Sequence, residues 1–355
     1  MKLAACFAAC VVILGVVAAV SPIPNRETDR DVYEATATRV VVPDCGDLQC
    51  FRVLVPWVLG RLPGPSIVKW KGYAVVCNAA TLVAVFLWCL SLNLSRRLAW
   101  MAAVASTFGF GSLYTLHDPY TSDPLMYLLG PFIGSEAVNG RVAVAGAVAT
   151  AGVFAKEFAG APLYIVAVWH ALERRWKAAL HTLAGANVAF LAWLLFTLTL
   201  MLRFNYSYSG SASTDLGHGA NLVGWLSRMS PRGVISAMFI EFGALWLLAP
   251  IGFLIAPRRL QLVALVSLPV AALFGYVQQP DRALWNFHFL VTPLAATVLE
   301  RAPIALAGAT LAAFAFANLR VGAQLPLAVV GRTALAASVL LAAASAWTAL
   351  RAVRS

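Results

Sequence analysis

The sequence predicts an all-α, polytopic integral membrane protein of about eleven to twelve transmembrane helices, since roughly 20 apolar residues make one span. Three observations predict it. Only 12% of the 355 residues are charged and 61% are hydrophobic, against about 25% charged in soluble domains. Apolar runs of near-spanning length recur along the chain, and the short turns between alternate runs are basic. Lipid satisfies no backbone polar group, so such runs are read as helices.

The opening run, MKLAACFAACVVILGVVAAVS, has the basic start and small-residue end of a cleavable signal peptide. It is also long enough to span, and is read as a retained first helix at 3–20. Further spans are expected at 72–92, 98–116, 123–135, 142–155, 158–172, 178–202, 234–255, 260–278, 284–299, 303–318 and 333–350. The run at 123–135 holds Gly130, Pro131 and Gly134. It is expected to be broken or re-entrant, which is tolerated where protein or water covers it. The Gly and Ala content of the later runs suits close helix packing in lipid. Residues 1–355 are read as one transmembrane helical domain, with an external loop 21–71 carrying short interfacial helices and a second external loop 203–233.

Orientation follows from the basic turns SRRLA (95–99), ERRWK (173–177), PRR (257–259) and ER (300–301) and the tail RAVRS. Counting the spans in order puts all of them on one side. The positive-inside rule makes that side cytoplasmic, together with the N-terminus. Arg320 and Arg332 fall on the other side. The net charge of +11 is thereby explained by anionic lipid headgroups. No basic-aromatic module or zinc-finger spacing is present, so nucleic acid is not an expected partner. The expected location is a bacterial inner membrane, with the polar loops facing the periplasm.

Cys6, Cys10, Cys77 and Cys89 lie in apolar runs and read as small hydrophobes. Cys45 and Cys50, in the polar stretch PDCGDLQC, are expected to form a disulfide, because a CxxC-type metal site lacks its second half.

The polar residues of the external side are the candidates for function. Asp29 and Asp31 lie in NRETDRDVYEATATRV, a weakly amphipathic interfacial segment. Asp31 serves either as an N-cap or as a general base for a hydroxyl nucleophile. Arg52, in FRVLVPWVLGR, is either an interfacial anchor or a planar ligand for phosphate. Lys156 and Glu157 separate two apolar runs, as solvated turn charges or as charges in a wet cavity. Asp281 and Arg282 pose the same choice, and Glu241 reads as an acid inside the membrane region. In HDPYTSDPLMY, Asp123 before Pro124 reads as a helix start. His117 and Asp118 have no such duty and are kept as site residues. Walker A, HExxH, GxSxG and zinc-cluster signatures are absent from the sequence.

Taken in order, these features resemble the GT-C superfamily of integral membrane glycosyltransferases. The resemblance is carried by an early Asp after the first span (DVYEATA), an Arg-x-x-x-Pro-Trp segment (FRVLVPW), an Asp-Pro helix start (SDPLMYLLG), a charged turn (AKEFAG) and a late Asp-Arg (PDRALW). It implies transfer of a sugar from a polyprenyl-phosphate-linked donor to a hydroxyl of a glycan, lipid or protein by inverting displacement, in cell-envelope glycan biosynthesis. It implies Asp31 as the base, with Asp29 an available second candidate. Arg52, Lys156 and Arg282 would bind the phosphate, while Glu157 and Asp118 would orient hydroxyls. Neither an obligatory metal nor another cofactor is expected. A secondary transporter is the alternative, and it would place polar groups near the midplane.

Overall fold

A computed structural model describes residues 3–24, 27–207, 231–277 and 284–354. Among the described residues all regular structure is helical. The chain begins with α1 (Leu3–Val20), followed by a loop that holds α2 (Glu27–Arg39), a 3-10 turn (Leu48–Phe51) and α3 (Leu54–Gly60). Then come α4 (Ser66–Ser91), α5 (Arg96–Thr107), α6 (Phe110–His117), α7 (Asp123–Val138), α8 (Val142–Gly152), α9 (Ala161–Leu172) and α10 (Trp176–Phe204). The rest of the bundle is α11 (Pro231–Phe242), α12 (Leu245–Ile255), α13 (Arg258–Val277), α14 (His288–Arg301), α15 (Ile304–Val321) and α16 (Ala328–Arg354). The protein is an all-α polytopic membrane protein.

Among the described residues, α1, α4, α10, α15 and Val330–Ala352 of α16 are long and apolar enough to cross a membrane unaided, and α8, α9 and α12 are shorter apolar helices. On α10, Leu180, Leu195 and Leu202 are 65%, 64% and 83% exposed. In water each would forfeit about 1.5–3 kcal/mol of burial, whereas lipid is as apolar as they are.

Cross-links sort the turns onto two ends. At the basic end, Ser95 Oγ donates to Glu300, Arg97 Nη2 donates to Ala302 O at 2.8 Å and Arg301 Nη2 donates to Ile255 O at 2.9 Å. The other end gathers the first loop, the segment after α6, the turn after α8 and the end of α10. There Leu54 N donates to Phe154 O and Asp44 N to Phe204 O, both at 2.9 Å. Among the described residues, the turns at 95–97, 255 and 300–302 thus meet one another, and the first loop meets the turn after α8 and the end of α10.

Three expectations are refined. The span foreseen at 98–116 is divided into α5 and α6 at Phe108 and Gly109. A Cβ on Gly109 or Gly111 would fall 1.9 or 2.1 Å from the indole of Trp285, so this stretch admits that ring. The span foreseen at 234–255 is divided at Gly243, which has φ +49°, a left-handed conformation that suits glycine. The foreseen break in 123–135 is absent, and α7 is continuous through Pro131. Its Gly134 admits Trp88, whose indole Nε1 donates to Phe289 O at 2.8 Å. Neighbouring helices cover the freed backbone, as they do for proline inside membrane helices.

The first run is an integral helix of the bundle. Cys6, Cys10, Leu14 and Val17 of α1 are buried in the main core. Lys71 Nζ donates to Ala18 O and, at 2.9 Å, to Ser21 O, satisfying carbonyls that a helix C-terminus leaves open.

Candidate active site at the loop-rich end

The polar end is organised by α2. Its inward face is marked by Tyr33 and Thr36, each 1% exposed. Asp29 precedes Tyr33 by one turn, about 40° away around the helix axis, whereas Asp31 lies about 200° from Asp29. Asp29 is accordingly half-buried and Asp31 exposed. Gln49 Nε2 donates to Asp29 Oδ1 at 2.9 Å. Arg30 pairs with Glu34 at 3.2 Å and stands over the ring of Tyr120 at 5.3 Å.

Beneath α2 lies an aromatic stack. Trp70 of α4 is 5.3 Å from Tyr33, 5.3 Å from Tyr120 and 5.9 Å from Tyr73, by ring centroids. Tyr73 Oη donates to Ser122 O at 3.2 Å and accepts from Leu125 N at 3.1 Å, which fixes the segment after α6 against α4.

Beside the stack sit two buried ion pairs on successive residues of one turn. Arg52 donates to Glu157 twice, from Nη2 at 2.9 Å and from Nε at 3.3 Å. Lys156 Nζ donates to Asp123 Oδ1. The side chains of Lys156 and Asp123 are 3% and 7% exposed, and those of Arg52 and Glu157 9% and 14%. Ions this far from water persist only when paired and hydrogen-bonded.

The titration behaviour follows the pairing. Burial opposes the charge on Arg52, but Glu157 and Tyr33 outweigh it and the guanidinium value is raised. Burial also opposes ionisation of Glu157, and there Arg52 wins, holding the carboxyl below its usual range. Burial lowers Lys156, helped by Arg52 and opposed by Asp123. Burial raises the Tyr33 hydroxyl.

The other expected residues are dispersed. His117 ends α6, and its Nδ1 lies 2.5 Å from Pro22 O, joining α6 to the exit of α1. Asp118 is buried, its backbone N–H bonds Tyr114 O at 2.9 Å, and the Tyr114 hydroxyl is 3.4 Å from its Oδ2. Glu241 is buried near the end of α11. The next residue, Phe242, packs with Tyr127 and Trp285 in a separate cluster. Asp281 and Arg282 lie outside the described residues. Of the expected set, then, the structure pairs Arg52 with Glu157 beside Lys156, bonds Asp29 to Gln49 one turn of α2 before the buried Tyr33, and leaves Asp31 exposed.

Several residues of this centre went unsignalled in the sequence. Asp123 reads as a helix start and does open α7, yet it also neutralises Lys156. Tyr33 and Tyr120 lie in the stretches DVYEATA and HDPYTSDPLMY without being singled out there, and Trp70 lies in neither. Gln49 lies inside the small ring closed by the Cys45–Cys50 disulfide, a bridge expected from its polar loop.

No family model matches the sequence and no curated protein matches it. Among solved structures, the chain is similar to the Archaeoglobus fulgidus oligosaccharyltransferase, whose crystal structure carries a tethered acceptor peptide with an NVT sequon. The TM-score is 0.49 and the identity 12%, over 96% of this chain and 55% of that one. The chain thus spans about half the length of that protein, and so remote a likeness transfers no activity.

Proposed function

We infer that this chain is a membrane glycosyltransferase that moves a sugar from a polyprenyl-phosphate-linked donor to an acceptor hydroxyl at its loop-rich end. One observation carries the reading. Asp29, a half-buried carboxylate bonded by Gln49, lies one turn of α2 before Tyr33, and Tyr33 hydrogen-bonds Arg52 of the Arg52–Glu157 pair, which adjoins the Lys156–Asp123 pair.

The chemistry needs a base on one side of the sugar carbon and cations at the departing phosphate on the other. Asp29 accepts the hydroxyl proton as the acceptor oxygen bonds to the anomeric carbon. The bond from that carbon to the phosphate oxygen breaks, and the phosphate leaves with the electron pair. Arg52, held by Glu157 through Nε and Nη2 and hydrogen-bonded with Tyr33, is the first candidate for a phosphate oxygen. Lys156, paired with Asp123, is the second candidate for the phosphate, and Arg282 is the further one. Glu157, His117 and Asp118 remain candidates for orienting hydroxyls, and Glu241 for substrate contact. Asp29 is preferred to Asp31 because the phase of α2 turns Asp31 away from the centre.

The lipid carrier also has a suitable surface. A cavity of about 600 Å³ between α8 and α10 is lined by Gly146, Thr150, Ala151, Phe154, Gly185 and Val188. Its Phe154 is three residues from Glu157, so an apolar tail lying there would have its phosphate near Arg52. By the positive-inside rule the loop-rich end faces the exterior.

The test is sugar transfer from a polyprenyl-phosphate sugar by protein reconstituted in liposomes. Asp29→Asn is expected to lower turnover by roughly 10²-fold or more, as loss of a general base does, and Asp31→Asn to retain it. Absence of transfer by the wild type from a panel of such donors would overturn the reading.

A further inference from the structure

We propose that Gln49 is a positioning residue for Asp29, held in place by a loop fastened at both ends; this rests on the transferase reading above. Gln49 lies within the ring closed by Cys45 and Cys50. Upstream, the ring is tied to the end of α10. Ser207 N donates to Cys45 O at 3.0 Å, Asn205 Nδ2 to Asp44 Oδ1 at 2.8 Å, and Val42 N to the Tyr206 hydroxyl at 2.8 Å. Downstream, Arg52 N donates to Gln49 O at 3.0 Å, and the Arg52 side chain is fixed by Glu157. Underneath, buried Cys50 and Phe51 pack with Leu200 and Tyr206, with Val32 of α2 against them.

A carboxylate on the first turn of an interfacial helix is free to rotate unless something holds it. The Gln49 carboxamide, whose own backbone is fixed on both sides, supplies that hold at Oδ1. The acceptor proton is then taken up at Oδ2. The role is orientation, and Gln49 itself touches no reacting atom.

The experiment compares oxidised wild type, Gln49→Leu, Asp29→Asn and the double variant in the liposome transfer assay. Gln49→Leu is expected to lower kcat by roughly tenfold to a hundredfold, the usual penalty of a misplaced group, with KM for the donor unchanged. In the Asp29→Asn background the same change is expected to cause no further loss, the non-additivity of residues acting as one unit. Reducing the disulfide of the wild type is expected to mimic Gln49→Leu. Wild-type turnover in Gln49→Leu, or an equal loss in both backgrounds, would overturn the proposal.

A second measurement keeps the two ideas apart. Amide hydrogen exchange over residues 27–36 is expected to quicken in Gln49→Leu and in reduced wild type alike, and unchanged exchange overturns the positioning role. If oxidised wild type transfers no sugar, the transferase reading falls, and exchange alone then decides whether Gln49 holds α2.

Discussion

Arg52 and Glu157, 105 residues apart in the chain, meet through two guanidinium–carboxylate hydrogen bonds of 2.9 and 3.3 Å. The planar fork matches the two carboxylate oxygens, and the pair ties the loop after α2 to the turn between α8 and α9. Removing one partner leaves a buried charge uncompensated, which costs about 3–5 kcal/mol. Arg52→Ala is expected to lower the thermal midpoint in detergent sharply. The double change Arg52→Met with Glu157→Met is expected to recover most of it. A double variant as unstable as the single one would contradict this account.

The same pair sets an acid limit. Arg52 holds the folded-state value of Glu157 below 4.5, the value the free side chain takes. A depressed carboxyl contributes stability above its unfolded value and loses that contribution as pH falls through its folded one. The thermal midpoint of the wild type is expected to hold as pH falls to about 4.5 and to drop below that. Glu157→Gln is expected to start lower and to show a flatter acid limb in a thermal series across that range.

Lys156 and Asp123 form the companion pair. Lys156→Met strands the Asp123 carboxylate at the start of α7, while Lys156→Met with Asp123→Leu removes both charges. The double variant is expected to be more stable than the sum of the single changes predicts, with a coupling of about 0.5–3 kcal/mol. Additive losses in a denaturation series would show that the contact contributes nothing.

Gly60 marks where α3 meets α2. A Cβ there would lie 2.2 Å from Ala37 O, so Gly60→Ala is expected to push the two helices apart and speed amide exchange in α2. Gly15→Ala on α1 is the control, since nothing lies within 4 Å of its Cβ position. Equal exchange in the two variants would place the α2–α3 contact outside the forces that hold the centre.

Much of the architecture was legible because lipid imposes simple rules. The apolar runs marked where helices lie, although Ser66–Ser91 and Ala328–Arg354 extend beyond the runs and two runs divide into pairs. The basic turns 95–99, 257–259 and 300–301 marked one end of the bundle. Other features depended on tertiary partners. The breaks at Gly109 and Gly243 follow from local backbone and from Trp285, a residue far along the chain. Asp123 carried a sufficient local reason, opening α7, so nothing in its neighbourhood disclosed its bond to Lys156. Asp29 and Asp31 differ by little in the sequence. They separate only once Tyr33 and Thr36 establish which face of α2 is buried.

The order in which the chain emerges adds a constraint on how the loop-rich end is built. The groups that seat residues 41–54 include Phe154, Glu157, Phe204, Asn205, Tyr206 and Ser207, all of them synthesised long after the loop itself. During insertion the loop must wait beside the membrane with Arg52 solvated. Cys45 and Cys50 are five positions apart and have no need of those later partners. Their bond is free to form while the loop waits, so that α8, α9 and α10 arrive at a segment already shaped to receive them.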